Sequence, residues 1–114
     1  MAKVVIQVNE TGDLYFRRIT QNIINLKNKL GDKLVDCEVV VFGEGLGLLL
    51  SKDELVNQRI QSIIELDITF IACSNTLEKK SLSVQDLVCS VGSAGSGIAH
   101  LVMRQTEGWA YLSL

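Results

Sequence analysis

The stretch Leu66-Asp67-Ile68-Thr69-Phe70-Ile71-Ala72-Cys73-Ser74-Asn75-Thr76-Leu77-Glu78-Lys79-Lys80 decides the fold. Its first half is short, β-branched and apolar, without Gly or Pro, and reads as a buried strand of a parallel sheet. Its second half runs through Ser, Asn and Thr into Leu-Glu-Lys-Lys, which reads as a capped helix start. Cys73 stands at the join. In an open α/β sheet that join is the carboxyl end of a strand, where ligands bind. A thiol at a helix N-terminus also meets free backbone N–H groups and the positive end of the dipole, both of which favour the nucleophilic thiolate. A free cysteine is equally a small buried hydrophobe. Ser74, Asn75 and Thr76 serve as well for helix caps as for donors to an anion. Position alone leaves both readings open.

Upstream, Lys3 to Val8 forms a β-branched first strand. Asp13 is a candidate N-cap for a helix over Leu14–Leu30. Its apolar residues recur at 16, 19, 23, 26 and 30, and Gly31 ends it. Val35 to Phe42 is a second strand, closed by Gly43-Glu44-Gly45-Leu46-Gly47. Ser51-Lys52-Asp53-Glu54 has the form of a capping box, and a second helix follows with Leu55, Ile60, Ile63 and Ile64 on its buried side. Downstream of Asn75–Lys80, Ser83 to Asp86 caps a single turn and Leu87 to Val91 reads as a weak fourth strand. Gly92 to Gly97 reads as a flexible loop. A helix marked by Ile98, Leu101, Val102 and Gln105 ends near Gly108, and Trp109 to Leu112 is the last strand. The β-α-β-α-β-α-β-α-β order predicts one α/β domain over residues 1–114, with a mostly parallel sheet between helices.

Eleven Lys and Arg against thirteen Asp and Glu give a net charge of -2, without the basic balance of a nucleic-acid surface. No apolar run approaches the ~20 residues of a membrane span, and Lys3 leads straight into a strand-like run rather than a signal peptide. A cytoplasmic protein bound to neither nucleic acid nor membrane is expected. Three cysteines with no CxxC pair argue against a disulfide framework or a zinc ribbon.

The remaining candidates have simple readings. Gly43, Gly45 and Gly47 could let an anion approach the backbone. They match neither a Walker loop nor a dinucleotide fingerprint, and a tight turn explains them more simply. Cys37 alternates with Val35, Val39 and Val41 and reads as core, and Cys89 as packing. His100, the single histidine, lacks the partners of a metal site or a triad. No metal or cofactor is called for.

Three segments nevertheless resemble one known family in order along the chain. Ile71-Ala72-Cys73-Ser74-Asn75-Thr76-Leu77 resembles the Ala-Cys-Gly-Asn-Thr segment of the DsrE/DsrF-like (DsrE/TusD-type) family of small sulfur-relay proteins. Glu38-Val39-Val40-Val41-Phe42-Gly43-Glu44-Gly45-Leu46 is similar to its Glu-Val-Val-x-His-Gly-Pro-Gly segment. Val102 to Tyr111 is similar to its Arg-Gln-x-Glu-Gly-Trp-x-Tyr ending. Phe42, Glu44 and Ser74 stand where the family has His, Pro and Gly. The resemblance implies a three-layer α/β/α fold around a five-stranded, mostly parallel sheet. It also implies homotrimers or hexamers, and a cysteine at the Cys73 position that accepts sulfane sulfur as a persulfide and hands it between donor and acceptor proteins. Ser74, Asn75, Thr76, Gly43 and Gly45 would line that site. The alternative is a non-catalytic ligand-binding or assembly module that reuses the fold. Trp109, Tyr111 and the apolar run Leu46 to Leu50 supply candidate interface surface.

Overall fold

Five short apolar stretches pair side by side in the computed structural model, which describes residues 1–114. They are β1 (Ala2–Val8), β2 (Leu34–Val41), β3 (Thr69–Cys73), β4 (Gly92–Ala94) and β5 (Ala110–Ser113). All four pairings are parallel and the strand order is β4-β3-β2-β1-β5. Helices α1 (Asp13–Leu30), α2 (Glu54–Glu65), α3 (Ser74–Lys79) and α4 (Gly97–Thr106) make the crossovers that a parallel sheet requires. The three-layer α/β/α arrangement is therefore present. No helix is long and apolar enough to cross a membrane.

Period-two alternation divides the strands between two unequal cores. On one side Val4, Ile6, Val8, Cys37, Val39, Val41, Phe70 and Ala72 pack with Phe16, Ile19 and Ile23 of α1, Val56, Ile60 and Ile63 of α2, and Leu77 of α3. On the other side only Val5, Val40 and Ile71 meet α4, through Leu101. Cys37 is thus core, as its alternation implies, although Val35 is exposed.

Several boundaries differ from the sequence reading for physical reasons. Asp13 is the first residue of α1 rather than its cap; Gly12 precedes the helix at φ 126, without a side-chain bond. Asp53 alone caps α2, accepting from the N–H groups of Leu55 and Val56, while the Ser51 hydroxyl accepts from Asp53 N–H. Leu55 lies in the first turn of α2 and is more than one-third exposed. Leu66 and Asp67 form a turn, Asp67 with φ 63, so the third strand begins only at Thr69. The fourth strand is Gly92–Ala94, inside the stretch read as loop, and Leu87–Val91 is irregular. Gly92 permits this because a Cβ there would meet Ile71 Cδ1 at 2.7 Å, and the pairing sets Gly92 against Ile71. The turn at Ser83 forms as expected, with a reciprocal box between Ser83 and Asp86.

Gly43–Leu50 is not a tight turn but a 3-10 segment of eight residues. Three residues per turn stack Leu46 over Leu49, and both are fully buried with Leu48. Those three leucines are core rather than exposed surface, and Leu50 is partly buried against them. Gly45 is fixed by contact: a Cβ there would lie 2.0 Å from the Val8 carbonyl oxygen. Gly45→Ala should therefore cost about 3 kcal/mol or more, the upper end of overpacking costs. Gly95→Ala, with open space around it, should stay within about 0.5 kcal/mol of wild type. Urea denaturation of the two variants checks the contrast, and similar midpoints would refute the contact argument.

Candidate functional site

The chain leaving β3 turns into α3 on the large-core side, whereas the chain leaving β4 turns into α4 on the opposite side. Where neighbouring strands send their connections to opposite faces, a crevice opens at the carboxyl ends, and α/β proteins bind ligands there. Here the crevice is a cleft of about 510 Å³ lined by Phe42, Gly43, Cys73, Asn75 and Thr76, with Lys79 and Lys80 on one wall and Ser96, Gly97 and Ile98 on another. Glu44 stands at its rim.

Cys73 is the last residue of β3 and the residue before α3, and it points to the α4 side by alternation with Ile71. It is 5% exposed. Gly97 N–H, the first of α4, donates to Cys73 Sγ at 3.3 Å. Sulfur thus lies where the N-termini of two helices converge, one more than the sequence indicates. Burial works to raise the Cys73 pKa. The Thr76 hydroxyl, the N–H of Thr76, the N–H of Gly97 and the N–H of Asn75 outweigh it, and the thiol is held below its ordinary value. The Asn75 and Thr76 N–H groups act as aligned dipoles without closing a full cap bond. The other two thiols go the opposite way: burial pushes Cys37 up to about 11 and also raises Cys89.

Thr76 joins the two loops at the cleft. It is 8% exposed, and its Oγ1 accepts from Gly43 N–H at 3.0 Å, which leaves its own hydrogen free for sulfur. Gly43, at φ 55, holds that N–H in place. Asn75 N–H also donates to Gly95 O at 3.3 Å, binding α3 to the chain after β4. Phe42 packs on Gly97, where a Cβ would come within 3.1 Å of the ring. The structure brings Cys73, Asn75, Thr76 and Gly43 together. Ser74 is exposed outside the cleft, and Gly45 is buried against Val8. Both belong to the scaffold.

The cleft also holds residues that the sequence reading passed over. Thr76, Lys79 and Lys80 share a helix face at i, i+3 and i+4, a spacing visible in the sequence. Ser96, Gly97 and Ile98 carry no such signal, because their place depends on the pairing of β4 with β3.

A second polar cluster lies beneath α4. Glu38, on the α4 side of β2, accepts from Arg104 Nε at 2.8 Å and Nη2 at 2.9 Å, and from His100 Nε2 at 2.8 Å. His100 is therefore occupied. Arg104 also pairs with Glu107 at 2.8 Å and lies 4.6 Å above the Trp109 ring. Burial works to raise the Glu38 carboxyl pKa, but the Arg104 and His100 hydrogen bonds prevail and hold it below the usual range. No three His, Cys, Asp or Glu side chains converge as metal ligands would.

No model of a known protein family matches the chain, and no curated protein does. Solved structures do. MTH1491 of Methanobacterium thermoautotrophicum, a protein of unknown function, superimposes with a TM-score of 0.81 and 32% identity over 100% of both chains. The chain belongs to one family with MTH1491. YchN of E. coli superimposes with a TM-score of 0.77 at 15% identity over 100% of both chains. BT1422 of Bacteroides thetaiotaomicron, a conserved protein of unknown function, gives 0.74 at 21% identity over 98% of this chain and 94% of its own. At such identities the latter two share the fold. That fold is the DsrE/TusD-like one, common to this chain, MTH1491 and YchN.

Two measurements test the site. Iodoacetamide alkylation of Cys73 should titrate with a midpoint below the free-thiol value of ~8.5, and Thr76→Val should move it upward; an unmoved midpoint would remove Thr76 from the account. Glu38→Gln should cost about 1–3 kcal/mol at pH 7, because it removes the charged acceptor of Arg104 Nε and Nη2 and leaves Arg104 only its pair with Glu107. With its folded-state pKa depressed, Glu38 stabilises above its unfolded value of ~4.3, and that contribution disappears as pH falls through the lower folded value. The gap between wild type and variant should therefore narrow as pH falls below the unfolded value and close once Glu38 is protonated in the folded state. A gap that persisted there would contradict the ion-pair reading.

Proposed function

We propose that the chain is a small sulfur-relay protein in which Cys73 accepts sulfane sulfur as a persulfide and passes it on. One observation carries this reading. Of three thiols, Cys73 alone lines the cleft at the carboxyl ends of the strands, and it alone has surroundings that favour the thiolate. The DsrE/TusD-like fold and the Ala72-Cys73-Ser74-Asn75-Thr76 segment support it.

Transfer needs no metal or redox group. The Cys73 thiolate attacks the sulfane sulfur of a donor, a new Sγ–S bond forms, and the donor's own S–S bond breaks with its electron pair leaving on the donor. The outer sulfur then stands about 2 Å beyond Sγ, nearer the cleft mouth and an incoming acceptor thiolate. Attack there returns the electron pair to Cys73. The N–H groups of Gly97 and Thr76 stabilise sulfur in its anionic form before and after each step.

Incubation of the reduced protein with inorganic polysulfide, followed by intact-mass measurement, tests the reading. Wild type should gain the mass of sulfur and Cys73→Ser should not, whereas Cys37→Ser and Cys89→Ser should load as wild type. Equal gain in Cys73→Ser would end it.

We also propose a closed homo-oligomer, a trimer or a dimer of trimers. Ile98, Val102 and Met103 leave an apolar stripe on the outside of α4, each more than half exposed, and Tyr111 and Leu112 are exposed on β5. Light scattering behind a sizing column should give a multiple of the chain mass. A monomer at high micromolar concentration would overturn the assembly.

A further inference from the structure

We infer that the Cys73 cleft takes its sulfur from a small oxyanion donor of the thiosulfate class, held by the ammonium groups of Lys79 and Lys80. The inference rests on Cys73 being the sulfur acceptor and goes beyond it by naming what supplies the sulfur.

Access points to a small molecule. Cys73 is 5% exposed at the floor of the cleft, so a donor thiol carried on a folded protein would have to be threaded into about 510 Å³. A small donor diffuses in. Charge points to an anion. Although the whole chain carries -2, this wall sets two cations in the cleft that holds the nucleophile, against the single carboxylate of Glu44. Lys80 Nζ lies 3.7 Å from Glu44 Oε1, a mostly exposed pair that solvent screens, and Lys79 makes no ion pair. Hydrogen bonding agrees. In the first turn of α4, Gly97 N–H goes to Cys73 Sγ, Ala99 N–H to Ser96 Oγ and His100 N–H to Ser96 O. Ile98 N–H has no protein acceptor, and Ile98 lines the cleft. Phe42 and the Ile98 side chain make the remaining wall apolar, which strengthens charge pairing beside it.

The reaction balances without an added oxidant or proton. The thiolate attacks the outer sulfur of thiosulfate, the Sγ–S bond forms, and the bond between outer sulfur and sulfonate breaks. Its electron pair departs with sulfite, leaving a persulfide anion on Cys73. One thiolate and one dianion become one persulfide anion and one dianion. A thiolate and a dianion repel at contact, and the two ammonium groups offset that repulsion on approach and hold the sulfonate as it becomes the leaving group.

The test compares thiosulfate with inorganic polysulfide, which has no oxyanion, on the reduced full chain. Persulfide on Cys73 is read by mass and sulfite by release. With thiosulfate, wild type should load and release one sulfite for each sulfur gained. In Lys79→Ala/Lys80→Ala the ratio of thiosulfate to polysulfide loading rates should fall by about tenfold, the worth of two partly exposed charge-assisted hydrogen bonds to sulfonate oxygens, which polysulfide, itself an anion, lacks. Lys79→Arg/Lys80→Arg should restore most of it. Loading by polysulfide but not by thiosulfate, or an unchanged ratio in the alanine variant, would overturn the donor assignment and leave the relay reading standing. Loading by neither would overturn both.

Discussion

A sheet whose strands all run parallel cannot be closed by hairpins, and this single constraint shapes the molecule. Each strand must be followed by a crossing over one face. Three crossings carry α1, α2 and α3 over the same face, and the fourth carries α4 back across the other, from β4 at one edge to β5 at the opposite edge. The imbalance explains the twenty-residue core on one side and the four-residue core on the other. It also fixes where a cleft can exist. The change of face falls between β3 and β4, and Cys73 is the last residue of β3.

A lone helix on a thin core needs something beyond apolar contact to hold its position. Here a half-buried carboxylate supplies it: Glu38 reaches up from β2 to a guanidinium and an imidazole one turn apart on α4. Ion pairs of this kind contribute modest net stability but specify one arrangement over near alternatives. What they specify matters at the other end of the same helix, where Gly97 N–H meets sulfur. The Glu38 and Arg104 segments lie far apart in sequence and away from the thiol, yet they set the angle at which α4 addresses it.

The sequence makes the strand-to-helix joint at Cys73 legible because a β-branched run and a polar start of a helix are local signals. Helix α1 is equally plain from its apolar spacing. What escapes is what depends on pairing. Gly92–Ala94 has no strand-like composition and becomes one only because β3 offers a free edge. Leu46 to Leu50 looks like surplus apolar surface until the 3-10 geometry tucks it under the sheet. Gly45 looks like part of a binding loop, but its lack of a side chain answers to the Val8 carbonyl. Lys79 and Lys80 were readable from their spacing to Thr76; Gly97 was not, since no local pattern tells that a residue twenty-four positions on will touch Cys73.

The three-residue length of β4 has a kinetic side. A short edge strand is among the first parts of a sheet to open, and such openings proceed locally, well below the cost of global unfolding. When β4 lifts from β3, the backbone that presents Gly97 to sulfur leaves with it, and so does the Gly95 carbonyl that accepts from Asn75. The thiol then loses the Gly97 N–H, one of the groups that favour its anion. Its nucleophilicity is thus tied to an opening equilibrium at the sheet margin, and amide exchange at Ala94 and Gly97 reports on the same event as the reaction rate of Cys73. A partner that clamps this margin would quicken the chemistry without touching the sulfur.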